Sequence, residues 1–135
     1  MFNAEGIPDG GTTFKCCPPI RSEANRDLLW AALADGTIDL VASDHSPATA
    51  ALKLAGNGDF GVAWGGISGL QLAFTAVWSE ARRRGHDLDD VLGWMSRATA
   101  AFVGLTDRGG IRVGARADLV AFAADRAWTV DAAGL

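Results

Sequence analysis

The segment that most constrains the fold is the nearly continuous apolar run of residues 38–43. A strand this apolar needs cover on both faces, which is typical of a parallel sheet flanked by helices. A helix signal precedes the run, because Ser22 suits an N-cap and Gly36 suits the C-terminal cap. A short β-prone run at residues 12–17, stopped by two prolines, comes before that helix. The sequence therefore predicts an α/β fold built on a right-handed βαβ unit.

The second half of the chain is predicted to be mainly helical, after a long loop. Residues 68–71 fit a capping-box pattern, and apolar residues then recur at helical spacing up to Gly85. Asp87 suits the start of a further helix, and residues 98–103 are typical of one more short helix. Residues 111–122 change character, with a glycine turn followed by an apolar strand. The predicted order is βαβ, long loop, helices and a final strand.

Charge and cysteine usage exclude several classes of function. The net charge of -4 and the pI near 5.0 argue against a nucleic-acid groove, which needs clustered basic residues. Residues 61–78 approach membrane length, but four glycines interrupt them, so a buried or site-lining segment is expected rather than a membrane span. Cys16 and Cys17 are adjacent and make no disulfide framework. A reduced, cytoplasmic protein is the natural interpretation.

The strongest candidate for chemistry is Ser43-Asp-His-Ser-Pro47, at the carboxyl end of the second predicted strand. In parallel α/β folds, ligands and catalytic groups lie at these strand ends. Asp44 can there bind a metal ion or take a proton from water, or it simply caps a turn. Strand alternation sends His45 to the opposite side, so the two side chains are not expected to bind one ion together. The plainer alternative is that His45 hydrogen-bonds a loop carbonyl.

Two neighbouring segments are further candidates. Lys15-Cys-Cys-Pro-Pro-Ile-Arg21 presents free backbone amides that suit an amide-bearing ligand, and Arg21 can pair with a carboxylate. Alternatively, its cysteines are small core residues and its arginine is a surface cation. Gly65 and Gly66 precede a predicted helix and let the backbone approach a ligand closely. His86 is expected to be a solvated surface group.

The chain does not contain enough ligands for a complete zinc centre of its own. Such a centre takes three or four His, Cys, Asp or Glu ligands, and the sequence has two histidines. Cys16 and Cys17, at adjacent strand positions, cannot easily both turn toward one ion. No nucleophile elbow is present either.

Taken in order, these segments resemble the cyclic amidohydrolases, and among them the allantoinases. The blocks that carry the resemblance are Phe14-Lys-Cys-Cys-Pro-Pro-Ile-Arg21, Gly36-Thr-Ile-Asp39, Ser43-Asp-His-Ser-Pro47, Ala55-Gly-Asn57, Ala63-Trp-Gly-Gly-Ile67, Gly69-Leu-Gln71 and Ala117-Asp-Leu-Val120. Dihydropyrimidinases and dihydroorotases share this layout, but the blocks match allantoinases better. Together the blocks are specific, whereas any one of them alone is weak.

The resemblance implies the C-terminal portion of an amidohydrolase TIM-type barrel of eight βα units. Residues 1–104 would supply its last two strands and helices, with residues 14–17 as the seventh strand and residues 38–43 as the eighth. Residues 105–135 would form part of a small outer β-domain. The chain would then be a C-terminal fragment of a longer enzyme, expected to be a homo-oligomer in its full-length form.

The chemistry implied by the resemblance is metal-dependent opening of a small cyclic ureide, allantoin, to allantoate in purine catabolism. Family enzymes use two metal ions, usually zinc, and Asp44 carries over as a metal ligand and proton shuttle. The implied substrate contacts are Cys17, Pro19, Gly65, Gly66, His45 and Ser46. Because the remaining metal ligands would lie on the first six strands, the isolated chain is expected to be inactive. The alternatives are a hydantoinase, dihydropyrimidinase or dihydroorotase parent, and a non-catalytic binding module.

Overall fold

Helices make up the regular secondary structure in the part of the chain that the computed structural model describes, residues 2–127 and 129–131. They are α1 (Glu23–Ala34), α2 (Ala50–Lys53), α3 (Ala73–Arg83), α4 (Leu88–Leu92) and α5 (Ala98–Phe102), with 3-10 turns at Ala4–Gly6 and Thr12–Phe14 and a π-helical turn at Gly93–Arg97. The π turn joins α4 to α5 without a break. None of these helices has the length and apolar character needed to cross a membrane.

Helix α1 begins and ends where its sequence predicts. The Ser22 side chain accepts a hydrogen bond from the Asn25 N–H, and Gly36, at φ 80°, follows the last turn. Glycine adopts this left-handed conformation at little cost. Of the apolar residues of this helix, Trp30 and Leu33 are buried, whereas Leu28 is 70% exposed.

Helix α3 starts later than its sequence predicts, so the capping box at residues 68–71 is wrong. The first helical residue is Ala73, and no side chain caps this end. The N–H groups of Gly69 and Leu70 donate instead to the imidazole of His45. Because these amides are already satisfied by a distant loop, the chain makes a turn there before the helix begins. The predicted end at Gly85, with φ 84°, is confirmed.

Helix α4 has the N-terminus that its sequence predicts, and α5 the predicted end. Asp87 and Asp90 form a reciprocal capping box, each carboxylate accepting from the other residue's N–H. Gly104, at φ 74°, follows α5. The helical half of the chain is thus defined mainly by local capping chemistry.

The core lies between α1, α3 and α4. Its buried residues are Trp30, Leu33, Val77, Ala81 and Val91. His86 belongs to this core rather than to the solvated surface, which corrects the expectation for it. Its ring stacks on Trp30 with a centroid separation of 5.9 Å and meets the edge of Trp94 at 5.1 Å. The residues next to His86 in the sequence did not indicate this, because Trp30, on which its ring stacks, belongs to α1.

The predicted strands do not form within the described residues, and the α/β prediction is therefore not realised there. Thr12–Phe14 is a 3-10 turn, and residues 38–43 are irregular. Val41 donates its N–H to the Trp94 carbonyl at 3.1 Å. Trp94 belongs to the π-helical turn, so this hydrogen bond is not part of a strand ladder. Residues 119–122 are likewise irregular. A strand is stable only when a neighbour completes its ladder, and residues 2–127 and 129–131 provide no such neighbour for these segments.

Candidate functional site

Three loops that the sequence singles out contact one another. They are the first loop (residues 15–17), the loop of Asp44 (residues 44–46) and the glycine loop (residues 65–70). The Gly66 N–H donates to the Lys15 carbonyl at 3.0 Å, which joins the first loop to the glycine loop. The Ser46 N–H donates to the Ile67 carbonyl, also at 3.0 Å, and this joins the glycine loop to the loop of Asp44. The structure therefore brings residues 15–17, 44–46 and 65–70 together, although no strand carries them.

Asp44 lies in one of these loops and has a left-handed backbone conformation, with φ 42°. Aspartate tolerates this conformation better than most residues, but it still needs support from its surroundings. The Ser46 hydroxyl supplies part of that support by donating to the Asp44 carbonyl at 3.2 Å. The Asp44 side chain is exposed, and its carboxylate makes no hydrogen bond or ion pair with the described residues. A carboxylate in this state can accept a proton or a cation.

His45 ties the Asp44 loop to the segment before α3. Its Nδ1 accepts the N–H groups of Gly69 and Leu70, at 3.2 and 3.1 Å. A nitrogen that accepts hydrogen bonds carries no proton, so Nδ1 acts here purely as an acceptor. The simpler expectation of a bond to a loop carbonyl was wrong in its direction, since His45 accepts from amides. His45 therefore holds the loop of Asp44 against the segment that precedes α3.

Position 66 can be occupied only by glycine without strain. Its φ is 122°, and a Cβ there would lie 2.2 Å from the Ser46 carbonyl oxygen. The Ser46 hydroxyl oxygen accepts the Ile67 N–H at 3.2 Å on the same side. Gly65 is less crowded, because its Cβ would meet the Cys16 Cα at 3.8 Å. The two glycines therefore allow close backbone approach between protein loops, and they do not lie at a helix N-terminus as the sequence suggested.

The residues after Lys15 lie next to the N-terminal loop and α1 as well as next to the loop of Gly65. Cys16 and Cys17 are free thiols, the second of them exposed, and a cis peptide bond joins Cys17 to Pro18. Pro19 lines two shallow grooves, one beside the N-terminal loop and one beside α1, and Asp44 lines neither. The groove beside the N-terminal loop is also lined by Lys15 and Cys16, so Pro19 lies next to the first of the three loops.

Lys53, at the end of α2, is a site residue that the sequence reasoning missed. Its side chain is buried, with 9% exposure, and its ammonium donates to the carbonyls of Lys15 and Gly66 at 2.7 and 2.6 Å. Burial lowers the pKa of the Lys53 ammonium, and the positive charge of the nearby Lys15 lowers this pKa further, whereas the charge of Cys16 raises it. One signal was available: a single cation within the apolar stretch 50–55 of a long loop.

The described residues do not fit a complete metal centre. No group of three or more His, Cys, Asp or Glu side chains among them converges on one point. The exposed Asp44 carboxylate has the chemistry of one ligand, whereas His45 uses Nδ1 for backbone amides and the Cys16 thiol donates to the Pro18 carbonyl at 3.4 Å. On the three loops, Asp44 therefore offers an unengaged carboxylate as a possible ligand.

Comparisons with known proteins agree on one family. The family model described as "Amidohydrolase family" matches residues 9–133. The allantoinase of Streptomyces avermitilis is 61% identical over 134 residues, which are 99% of this chain and 29% of that protein. The allantoinase of Arabidopsis thaliana is 46% identical over 130 residues, which are 96% of this chain and 26% of that protein.

A solved structure shows the same likeness in three dimensions. The L-hydantoinase (dihydropyrimidinase) of Arthrobacter aurescens superposes with a TM-score of 0.79 at 26% sequence identity. The match covers 86% of this chain and 26% of that chain. This chain thus spans between 26% and 29% of the length of these three proteins.

Proposed function

Because this chain belongs to the amidohydrolase family, we propose that it is part of an enzyme that opens a cyclic amide by hydrolysis. The proposed substrate is allantoin and the product is allantoate, a reaction of purine catabolism. The support for this choice is that relatives named allantoinase align with nearly the whole chain, one of them at 61% identity.

The observation that carries the proposal is the state of Asp44. Asp44 has a left-handed backbone conformation, and its carbonyl accepts a hydrogen bond from the Ser46 hydroxyl. Its carboxylate is not engaged by the described residues and can therefore accept a proton or a cation. Strained backbone of this kind clusters at functional sites. Two acids of the helical region, Asp87 and Asp90, are instead used as helix caps.

We propose that Asp44 moves a proton during hydrolysis. Water adds to the amide carbonyl carbon, and the Asp44 carboxylate takes the proton that the water loses. The C–N bond of the ring then breaks, and the protonated carboxyl returns the proton to the leaving nitrogen. The ring is opened with the addition of one water, and Asp44 ends in its starting state.

The metal in this proposal is zinc, and Asp44 is the ligand that this chain would contribute. A bound zinc ion would polarise the substrate carbonyl and lower the pKa of a water molecule. The other ligands would come from parts of the enzyme outside this chain, since the described residues supply no further converging group. Removing that metal from the complete enzyme should abolish hydrolysis.

The loops around Asp44 are proposed to hold the substrate through backbone groups. Cys17 and Gly65 lie on two of the joined loops, and Gly66 connects them. Backbone N–H and C=O groups match the alternating amides of a cyclic ureide. His45 and Ser46 would keep these loops in register, as their hydrogen bonds to residues 67–70 indicate. Pro19 remains a proposed contact, although it lines other grooves.

The larger organisation is also part of the proposal. Residues 1–104 would complete the last two units of an eight-unit barrel, and residues 105–135 would belong to an outer β-domain. Supporting the second part, Phe122 packs edge-on against Phe74 of α3 at 4.9 Å, so this segment lies against the helices. Residues 132–135 and Trp128 of that segment lie outside the described residues. A cytoplasmic homo-oligomer is proposed for the complete enzyme, in keeping with the two free cysteines.

A second candidate substrate is hydantoin or a dihydropyrimidine. The observation that favours it is the fit to the Arthrobacter aurescens L-hydantoinase, with its TM-score of 0.79. Sequence identity there is 26%, against 61% for the Streptomyces avermitilis allantoinase. Allantoin is therefore the first choice, and the experiment below compares both.

A chimeric enzyme tests the proposal. Residues 9–133 of this chain replace the matching segment of the Streptomyces avermitilis allantoinase, and the zinc-loaded protein is assayed with allantoin and with hydantoin. We expect allantoate release, and we expect Asp44→Asn to reduce kcat at least about a hundredfold, since it removes the proton carrier. Asp89→Asn, a surface change on α4, is the matched control. Full activity of the Asp44→Asn chimera would contradict the role of Asp44, and a preference for hydantoin would contradict the choice of substrate.

The isolated chain is proposed to be inactive. With zinc added, the 135-residue protein should release no allantoate. Turnover that Asp44→Asn abolishes would contradict this, because it would show that one ligand loop is enough.

A further inference from the structure

Lys53 carries an inference that goes beyond the residues assigned above and rests on the proposed function of their site. Helix α2 is a single short turn within a long loop. Lys53 is its buried residue, whereas Leu52 and Leu54 on either side are 47% and 58% exposed. The cation points inward and its apolar neighbours point outward, the reverse of the usual arrangement.

Burying an ammonium group costs free energy unless polar partners replace the water it loses. The Lys53 Nζ has two such partners, the carbonyl oxygens of Lys15 at 2.7 Å and of Gly66 at 2.6 Å. Hydrogen bonds from a charged donor are shorter and stronger than those between neutral groups. The ammonium therefore holds α2 in place by directed bonds to two backbone atoms.

These two atoms belong to the two loops that face each other beside Asp44. The Lys15 carbonyl also accepts the Gly66 N–H, so one oxygen receives a hydrogen bond from each side. Gly66 is fixed on its other side by Ser46, whose carbonyl oxygen would lie 2.2 Å from a Cβ at this position. A shift of the Gly66 backbone would thus be passed to the loop that carries Asp44.

We infer that Lys53 is a positioning residue that sets the spacing between the residue 15–17 loop and the residue 65–70 loop. It touches no substrate in this assignment. It acts through the Lys15 and Gly66 backbones, and through them on the loops proposed to bind the cyclic ureide. Because Lys53 bonds to these two backbones, we expect its loss to change the geometry of the site more than the packing of the helical core.

The first test uses the 135-residue chain and amide hydrogen exchange. In Lys53→Met, which keeps the length of the side chain but removes the donor, the Gly66 amide should exchange at least about tenfold faster. The amides of Val77 and Ala81 in α3 should be unchanged. Leu54→Ala, a change to the exposed neighbour on the same turn, is the matched control and should leave Gly66 unchanged. Equal exchange of Gly66 in the parent and in Lys53→Met would overturn the inference.

The second test uses the chimeric enzyme and separates positioning from general stability. Lys53→Met should lower kcat for allantoin by about tenfold or more, with a smaller change in KM and an unchanged thermal midpoint. Lys53→Arg, which keeps a buried cationic donor, should recover part of the loss. A fall in activity that only follows a fall in the folded fraction would overturn the positioning role. An inactive parent chimera would contradict the proposed function, and the exchange of Gly66 would then decide the role of Lys53.

Discussion

The two halves of the described structure are held together in different ways. The helical region, made of α1, α3 and α4 to α5, buries large apolar side chains such as Trp30 and Val91. The loop region, made of residues 15–17, 44–46, 53 and 63–70, buries Ala63 and Lys53 and depends on hydrogen bonds between backbone segments. Apolar burial is tolerant of small shifts, whereas directed hydrogen bonds are not. The region that carries the candidate site is thus the one with the stricter geometry and the smaller core.

The largest expected effect comes from removing the central aromatic residue of the helical region. Trp30 is 4% exposed and contacts His86 and Trp94, so Trp30→Ala leaves a cavity between α1 and α4. The free energy of unfolding of the chain should fall by about 3–5 kcal/mol, measured by urea titration of circular dichroism. Trp64→Ala is the control, because Trp64 is 62% exposed in the loop region. Similar losses for the two variants would mean that the regions do not differ in packing.

Gly66→Ala should damage the loop region while sparing the helical one. The new Cβ would meet the Ser46 carbonyl oxygen at 2.2 Å, in a backbone conformation that alanine rarely adopts. We expect the loops to separate at a cost of about 2 kcal/mol, seen as faster exchange of the Ser46 amide. Gly110→Ala is the matched control, since nothing lies within 4 Å of its Cβ position. Unchanged exchange of the Ser46 amide would show that the contact is not restrictive.

The ion cluster of the helical region predicts a dependence of stability on pH in acid. Glu80 is buried, which would raise the pKa of its carboxyl, but the hydrogen bond from Arg84 and the charges of Arg83 and Arg84 bring the pKa below its ordinary value of 4.5. Arg84 also pairs with Asp27 at 2.7 Å, so the cluster joins α3 to α1. Since the pKa is lowered on folding, Glu80 stabilises the protein above pH 4.5, and this is lost as the pH falls through the lowered pKa.

Glu80→Gln measures that contribution. At pH 7 the variant should be about 1–2 kcal/mol less stable than the parent, because the bonds from the arginines lose their charged acceptor. Below the lowered pKa the two proteins should unfold at the same urea concentration. Asp125→Asn, which removes the exposed partner of Arg82, is the control and should change stability little. A stability difference for Glu80→Gln that persists in acid would contradict the assignment.

The smallest predicted effect comes from His45, where two substitutions test whether a hydrogen-bond acceptor alone can replace the imidazole. Asparagine can place its side-chain oxygen near the position of Nδ1, whereas alanine offers no acceptor to the Gly69 and Leu70 amides. His45→Ala should therefore cost about 1 kcal/mol and speed exchange of the Leu70 amide, and His45→Asn should recover much of both. Equal behaviour of the two variants would show that the hydrogen bonds to Nδ1 contribute little.

The difference between the regions also explains what the sequence could predict. Helix ends follow from local signals, and Ser22, Asp87, Gly85 and Gly104 all act as their residue types predict. The start of α3 was mispredicted because the amides of Gly69 and Leu70, in the predicted first turn, bind His45, which lies 24 and 25 residues earlier. No local pattern reports such a contact. The predicted strands failed for the same kind of reason, because a ladder depends on partners that a single segment does not specify.

The sequence indicated the loops of the candidate site but not the contacts that join them. The sequence indicated Asp44, Gly65 and Gly66, and the structure brings their loops together. Lys53 was missed, since lysine is expected at the surface and its burial depends on two carbonyls from other loops. His86 was misassigned in a similar way, because its partners Trp30 and Trp94 are both on other helices.

Native-state hydrogen exchange of the 135-residue chain, measured across low concentrations of urea, tests this account most directly. If the two regions are held differently, the α3 amides of Val77 and Ala81 should exchange through a global opening that depends steeply on urea. The loop amides of Ser46, Gly66 and Leu70 should exchange through local openings of lower free energy with little dependence on urea. Convergence of both sets on one opening free energy and one urea dependence would show a single cooperative unit, and would contradict the distinction.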